Sequence, residues 1–207
     1  MIVVIDYQMG NVRSVAKAFE SVGARVRVSA ACANLSRARA LVLPGVGAFA
    51  AGMRHLRALR LPRLLSGAVR EGKPFLGICL GAQLLFTTSE EHGVHAGLDF
   101  MPGSVERFKP GLKIPHMGWN TAEYTAAGGR SPLLVGIPDM AYFYFVHSYF
   151  LRPRQRSVVL ANTAYSRRFA SIVGSGNLYG IQFHPEKSAE PGLKIIENFC
   201  RLAGEIL

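Results

Sequence analysis

A cysteine between two glycines, directly after a buried strand, constrains this chain more than any other feature. The segment Gly77-Ile78-Cys79-Leu80-Gly81 begins within the apolar run Phe75–Ile78 and leads into residues that suit a helix. This is the form of a nucleophile elbow, a tight turn that lifts a reactive side chain above a sheet. The free amides at a helix N-terminus favour the thiolate, which is the reactive form of cysteine. The sequence therefore predicts Cys79 as a nucleophile; the alternative is a buried, inert cysteine.

Strand and helix patterns alternate along the first half of the chain. After about residue 94 the pattern changes to strands joined by turns, closed by one terminal helix. Alternation favours a parallel sheet covered by helices. We predict an α/β, flavodoxin-like three-layer fold, with a central mostly parallel sheet plus antiparallel strands in the second half, as a single domain over residues 1–207. The predicted strands are 2–5, 26–28, 41–43, 75–78, 105–108, 142–146, 157–160, 169–173 and 178–183, and the predicted helices are 12–22, 62–71, 80–87 and 193–202.

A second motif lies 105 residues beyond the cysteine, after another predicted strand. His184 is followed by Pro185 and Glu186. In an extended chain the side chains of residues i and i+2 project to the same side, so Glu186 can lie behind His184. A carboxylate there fixes the imidazole tautomer and stabilises the imidazolium. We predict His184 as the base and Glu186 as its orienting group; the alternative is a structural histidine at a strand end.

A glycine-containing loop, Pro44-Gly45-Val46-Gly47, follows the predicted strand at 41–43. Acyl transfer needs N–H donors where the carbonyl oxygen becomes an oxyanion. The amide of Leu80, next after the nucleophile, is one predicted donor, and a loop whose glycines permit unusual backbone angles can supply the other. By itself the loop is only a turn. Together with the cysteine and histidine motifs, it predicts an acyl-transfer enzyme.

Composition excludes several other classes of protein. Three cysteines at wide spacing make neither a disulfide framework nor a zinc pattern, and no apolar run approaches the roughly 20 residues that span a bilayer. We therefore expect a soluble, cytoplasmic protein that does not bind a membrane.

The net charge of +11 comes from scattered basic residues. A solvated surface is favoured as the explanation of this charge over binding to an acidic protein partner, and binding to nucleic acid is not expected. A zinc site built from Cys79, His147 and His184 has no supporting ligand spacing, so no metal or cofactor is predicted.

These motifs, in this order and spacing, resemble those of the class I (triad) glutamine amidotransferases over nearly the whole chain. The resemblance implies hydrolysis of glutamine to glutamate and ammonia. Cys79 would attack the carboxamide, His184 would protonate the departing ammonia, and water would cleave the thioester. It also implies that Gln83 binds glutamine and that Val46 and Gly47 lie against the substrate.

Three further segments are similar to the glutaminase subunits of imidazole glycerol phosphate synthase, of histidine biosynthesis. They are Lys113-Ile114-Pro115-His116-Met117-Gly118-Trp119-Asn120, Tyr144-Phe145-Val146-His147-Ser148-Tyr149 and Phe183-His184-Pro185-Glu186-Lys187-Ser188. The similarity implies a heterodimer with a (β/α)₈-barrel cyclase. That partner would accept the ammonia through a tunnel and make imidazole glycerol phosphate and aminoimidazole carboxamide ribonucleotide. Asn11, Trp119, Asn120 and Tyr144 would face it, unless the aromatic residues are simply core residues on adjacent strands.

Three alternatives stay open on the sequence alone. The chain could be the glutaminase subunit of another amidotransferase, or an unrelated Cys-His hydrolase on a similar sheet, such as a small peptidase or a chaperone-like thiol protein. It could also be a binding module that retains the fold without catalysis. Gln83 and the His-Pro-Glu motif count against an unrelated hydrolase, and the filled positions of all three triad residues count against a binding module.

Overall fold

The fold is built around one mixed sheet, seen in a computed structural model that describes residues 1–109 and 111–207. Within these residues the strands are β1 Ile2–Ile5, β2 Val26–Ser29, β3 Ala40–Leu43, β4 Phe75–Ile78, β5 Phe86–Ser89, β6 His95–Ala96, β7 Met101–Arg107, β8 His116–Tyr124, β9 Ala141–His147, β10 Tyr149–Pro153, β11 Val159–Tyr165, β12 Arg167–Ser175 and β13 Leu178–Ile181. The helices are α1 Val12–Ser21, α2 Cys32–Arg37, α3 Phe49–Ala58, α4 Leu61–Arg70, α5 Leu80–Leu84 and α6 Ala189–Leu202.

The main path of the sheet has the strand order β2-β1-β3-β4-β13-β12-β10-β7-β5-β6. The pairs β2–β1, β1–β3, β3–β4 and β4–β13 are parallel, and beyond β13 most pairs are antiparallel. Strands β11, β8 and β9 branch from β12 as a further antiparallel layer. The predicted central sheet, parallel first and antiparallel later, is confirmed.

Two apolar clusters lie on opposite faces of the parallel strands. One contains Ile2, Val4 and the buried sides of α1 and α6. The other contains Val3, Ile5 and the buried sides of helices α2 to α5. Successive residues of β1 therefore point into different clusters, as alternation along a strand requires, and the continuous apolar run reflects a strand covered on both faces. These are the three layers of the predicted fold.

Several predicted element boundaries are wrong, and each error has a local cause. The helix predicted at 80–87 ends at Leu84, because Phe86–Ser89 forms β5 and pairs in parallel with β7. The Thr-Thr-Ser sequence there suits a strand better than a helix. The strand predicted at 157–160 is a 3₁₀ turn followed by β11, and the terminal helix begins at Ala189 rather than at residue 193. The predicted set lacks α2, α3, β5, β6, β8 and β10.

Candidate active site

The turn between β4 and α5 has the strained geometry of a nucleophile elbow. Cys79 has φ 53° and ψ −111°, a left-handed region that side-chain-bearing residues rarely adopt. A Cβ atom at Gly77 would lie 2.8 Å from the backbone of Ala82, and one at Gly81 would lie 1.7 Å from the carbonyl oxygen of Leu43. Both flanking glycines are therefore required by close backbone approach, as the sequence predicts.

The cysteine and histidine motifs meet because their strands are neighbours. Strand β13 pairs in parallel with β4, with Ile181 opposite Ile78, and the Cys79 N–H donates to the Ile181 carbonyl at 2.8 Å. The carboxyl ends of both strands therefore reach the same edge of the sheet. Cys79 and His184, each about 5% exposed, line one cavity of about 550 Å³ at that edge.

His184 and Glu186 form a hydrogen-bonded pair, with 2.9 Å between His184 Nδ1 and Glu186 Oε1. The predicted pairing is present, but its predicted backbone is wrong: Pro185–Lys187 is a 3₁₀ turn, not an extended segment. Pro185 at the first position of the turn fits this geometry, because its fixed φ suits a helical start. The His184 N–H donates to the Tyr144 carbonyl at 3.0 Å, which fixes the turn to β9.

The environment of His184 favours its protonated form. Burial alone lowers the pKa of His184, but Cys79 and Glu186 outweigh burial and raise that pKa to about 10. Among the described residues, Nε2 of His184 has no hydrogen-bond partner, although it is buried. A charged imidazole with a free Nε2 proton next to Cys79 can stabilise a thiolate and deliver a proton to a leaving group.

The predicted oxyanion donor at Leu80 is occupied. Its N–H donates to the carbonyl of Gly45 at 3.3 Å, so a ligand oxygen must displace that carbonyl before it can accept from Leu80. Gly47 has φ +96°, which glycine tolerates, and the side chain of Val46 is 45% exposed above the cavity. The buried Tyr7 hydroxyl also packs against the loop, 2.2 Å from where a Gly45 Cβ would lie. The loop lies where the prediction requires, and its role in binding an oxyanion stays a prediction.

Gln83 projects from α5 into the same cavity. It is 6% exposed, and its Nε2 donates to the Tyr149 carbonyl at 3.0 Å and to Gln182 Oε1 at 3.2 Å. The Gln182 Nε2 lies 3.8 Å from the Cys79 sulfur. Gln83 thus lies near the nucleophile within a network of amides, and its role in binding glutamine stays a prediction.

The residues predicted to face a partner fall into two groups. Trp119, 52% exposed, lies opposite Tyr144 across the β8–β9 pair, with ring centroids 6.1 Å apart in an edge-to-face arrangement. Asn120, by contrast, is half-buried and donates to the Ala164 carbonyl at 3.0 Å. Asn11 caps α1 by accepting from the Ser14 N–H at 3.2 Å. The alternative that Trp119 is a core residue is wrong, and Asn120 has a structural contact that the sequence does not reveal.

Several residues of the cavity have no predicted role. Glu91 and Arg107 place opposite charges on its wall, and His147 and Tyr149 line it from the β9–β10 connection. Glu91 and Arg107 carry no motif. His147 lies in one of the similar segments and in the zinc site that the sequence disfavours, but neither gives it a role in catalysis. Both nitrogens of His147 are engaged, one with His116 and one with the Tyr149 carbonyl, so it has no lone pair left for a zinc ion.

Comparison with known proteins identifies the family. The family model described as glutamine amidotransferase class-I matches residues 3–203. The chain therefore belongs to the class-I glutamine amidotransferase family, as its motifs predict. A solved structure titled "Crystal structure of glutamine amidotransferase" shares the fold, with a TM-score of 0.77 at 21% identity, covering 99% of this chain and 100% of that one.

More similar relatives share one name within that family. The "Imidazole glycerol phosphate synthase subunit HisH" of Moorella thermoacetica is 47% identical over 201 residues, which cover 97% of this chain and 94% of the relative. The protein of the same name from Methanothermobacter thermautotrophicus is 49% identical over 203 residues, covering 98% of each. The predicted similarity to the glutaminase subunits of this synthase is confirmed. In the part of the chain that the structure describes, no helix is long and apolar enough to cross a membrane.

Proposed function

We propose that this chain is a single amidotransferase domain, residues 1–207, that hydrolyses glutamine to glutamate and ammonia through a thioester on Cys79. The observation that carries the proposal is the meeting of the strained Cys79 with the His184–Glu186 pair at one cavity. Membership of the class-I family supports glutamine as the substrate. The cavity is also lined by Glu91, one of whose carboxylate oxygens accepts from the Phe49 N–H, and by Arg107, and their opposite charges suit the two charges of a free amino acid.

The reaction follows from the positions of these groups. The Cys79 sulfur forms a bond to the carboxamide carbon, and the carbonyl oxygen becomes an oxyanion. When the C–N bond breaks, the proton on His184 Nε2 passes to the leaving nitrogen, which departs as ammonia. Water then gives a proton to His184 and attacks the thioester, which breaks the C–S bond and releases glutamate. Glu186 holds the imidazole in the orientation that both steps need.

The occupied Leu80 amide predicts weak activity of the isolated chain. One oxyanion donor contributes about 10²–10³ in turnover, and here the Gly45 carbonyl must first move away from it. Activation therefore requires an event that reorients this loop. A ligand-bound partner that accepts ammonia is a chemically economical trigger, because free ammonia is protonated and lost.

We further propose that the ammonia goes to a (β/α)₈-barrel cyclase subunit in a cytoplasmic heterodimer of histidine biosynthesis. There it would be used to make imidazole glycerol phosphate and aminoimidazole carboxamide ribonucleotide. The relatives named as synthase subunits support this assignment. The exposed Trp119, with Tyr144 beside it and Lys187 Nζ 5.9 Å from the Tyr144 ring centre, supplies an aromatic and basic surface that suits a protein partner.

The test is glutamate release by the purified chain, alone and with a co-expressed barrel cyclase carrying its ligand. We expect slow hydrolysis alone, a large increase with the liganded partner, and loss of activity in Cys79→Ala. Cys32→Ala is the matched control, since Cys32 is exposed on α2 and remote in sequence from the site. A glutamine-like electrophile should label Cys79 and spare Cys32. Absence of glutamate release under both conditions would rule out the proposal.

A further inference from the structure

A chain of hydrogen bonds connects the β8–β9 hairpin to the wall of the cavity. Asn120 Nδ2 lies 3.2 Å from His116 Nε2, and His116 Nδ1 lies 3.0 Å from His147 Nε2. His147 Nδ1 lies 2.7 Å from the Tyr149 carbonyl oxygen, which also accepts from Gln83 Nε2 at 3.0 Å. These hydrogen bonds therefore form a hydrogen-bond chain that runs from Asn120, next to the exposed Trp119, to Gln83, the residue predicted to bind glutamine.

The Tyr149 carbonyl, near one end of this hydrogen-bond chain, determines which atom donates and which accepts at each step between the histidines and Asn120. The Tyr149 carbonyl can only accept, so His147 Nδ1 must carry a proton. Burial lowers the pKa of His147 to about 3 and that of His116 to about 4, so both rings are neutral at pH 7. The His147 Nε2 atom is consequently an acceptor, His116 Nδ1 is the donor to it, and His116 Nε2 accepts from the Asn120 amide. One tautomer of each histidine satisfies all the contacts.

Packing holds the two rings in these orientations. His116 is stacked between Phe145, with ring centroids 4.8 Å apart, and Tyr165, with ring centroids 4.0 Å apart. Phe108 packs against His147 at 5.3 Å. Both histidines are buried, at 3% and 6% exposure. A ring flip would have to break these stacked contacts and leave buried nitrogens without partners.

At the cavity end of the hydrogen-bond chain, the hydrogen bonds of Gln83 determine which atom of its amide can contact a ligand. Its amide nitrogen has two hydrogens, and they are used by the Tyr149 carbonyl and by Gln182 Oε1. The Gln83 Oε1 atom is therefore the part left to meet a ligand, and it can only accept. That atom suits an N–H donor of an amino acid substrate.

We propose that His116 and His147 are positioning residues, which hold the Tyr149 carbonyl and through it orient Gln83 so that its oxygen faces the substrate. The inference rests on the proposed function and concerns substrate binding by the same site. Neither histidine is placed to take part in the thioester chemistry, so their loss should affect the binding of glutamine more than turnover.

The first test compares two substitutions of His147. Asn carries its amide nitrogen where histidine carries Nδ1, so His147→Asn keeps the donor to Tyr149, whereas His147→Phe keeps the ring and loses it. We expect His147→Phe to raise KM for glutamine about tenfold, the effect of one hydrogen bond, with kcat within about twofold of wild type. His147→Asn should restore most of the KM. A loss of kcat at unchanged KM, or equal effects of the two variants, would overturn the proposal.

The second test asks whether His147 acts through Gln83. If it does, adding His147→Phe to Gln83→Met should raise KM no further than Gln83→Met alone. Additive effects would mean that His147 affects binding by another route, and would contradict the proposal. Tyr142→Phe is the matched control, because Tyr142 is 60% exposed on the same hairpin and lies outside the hydrogen-bond chain.

The third test needs no substrate and therefore separates this inference from the proposed function. Nitrogen-15 NMR of labelled histidines at pH 7 should show the Nδ1–H tautomer for both His116 and His147. Asn120→Asp replaces the terminal donor with an acceptor, so His116 should then become protonated or reverse its tautomer. An Nε2–H tautomer in the wild type, or no change at His116 in Asn120→Asp, would refute the assigned polarity even if the protein hydrolysed no glutamine.

Discussion

Glu186 is a buried carboxylate that depends on one partner, and this makes His184 important for stability as well as for chemistry. The Glu186 side chain is 3% exposed, and its Oε1 is hydrogen-bonded to His184 Nδ1. Its second oxygen, Oε2, has no hydrogen-bond partner among the described residues. Replacing His184 with alanine would therefore leave a charge buried without compensation.

The expected cost is large for a domain of this size. Breaking a buried ion pair by removing one partner typically lowers the free energy of unfolding by about 3–5 kcal/mol. The total free energy of unfolding of a domain is only about 5–15 kcal/mol. With a urea dependence of about 2 kcal/mol per M, the unfolding midpoint of His184→Ala should fall by about 2 M. Part of this loss is the cavity left by the imidazole, so the single variant does not isolate the charge.

A double variant separates the effect of the buried charge from that of the cavity. Glu186→Gln removes the charge and keeps the size of the side chain, so His184→Ala/Glu186→Gln has the same cavity without the buried carboxylate. Urea unfolding followed by circular dichroism at pH 7 should show the double variant more stable than His184→Ala by about 2 kcal/mol or more. If the double variant were no more stable than His184→Ala, or if His184→Ala were as stable as wild type, the reasoning would be refuted.

Three further predictions concern the elbow and the charge on His184. Cys79→Gly should be more stable to urea than Cys79→Ala by about 1 kcal/mol, because only glycine relieves the strain of φ 53°. Gly81→Ala should lose thermal stability and glutaminase activity together, since its Cβ would lie 1.7 Å from the Leu43 carbonyl oxygen. The raised pKa of His184, about 10 against 6.5, stabilises the fold fully below pH 6.5, and this contribution disappears as pH rises through about 10. Unfolding measured from pH 6 to 10 should lose less stability in Glu186→Gln.

Local sequence signals predict those parts of the fold that are stabilised locally. Strand β1 and helix α1 are found where the sequence predicts them, because burial of β1 on both faces and the side-chain cap of α1 by Asn11 act within a few residues. Strand β5 could not be predicted in the same way. It exists because it pairs with β7. Considered without that partner, the leucine-rich sequence before β5 predicts a longer helix.

In the candidate site, too, the features with local sequence signals are predictable and those that depend on distant contacts are not. The types and spacing of Cys79, His184 and Glu186 already indicate the chemistry, although the sequence predicts extended chain where a 3₁₀ turn joins the last two. The pairing of His116 with His147 depends on the register of β8 against β9, where these residues lie opposite each other. No local pattern specifies that register. The contact between Leu80 and Gly45 likewise depends on how closely two loops approach in space.

The register of two strands explains how residues 105 positions apart come to form one site. Strand β4 closes the parallel half of the sheet, and β13 returns from the antiparallel half to pair with it in parallel. Both strands therefore end at the same edge, and Ile78 and Ile181 bring the following residues to the cavity together. The intervening chain forms the antiparallel part of the sheet, including β12, which pairs with β13, and it carries other features as well. It carries the exposed aromatic surface around Trp119 and the buried histidines, both on strands fixed to the sheet that holds Cys79.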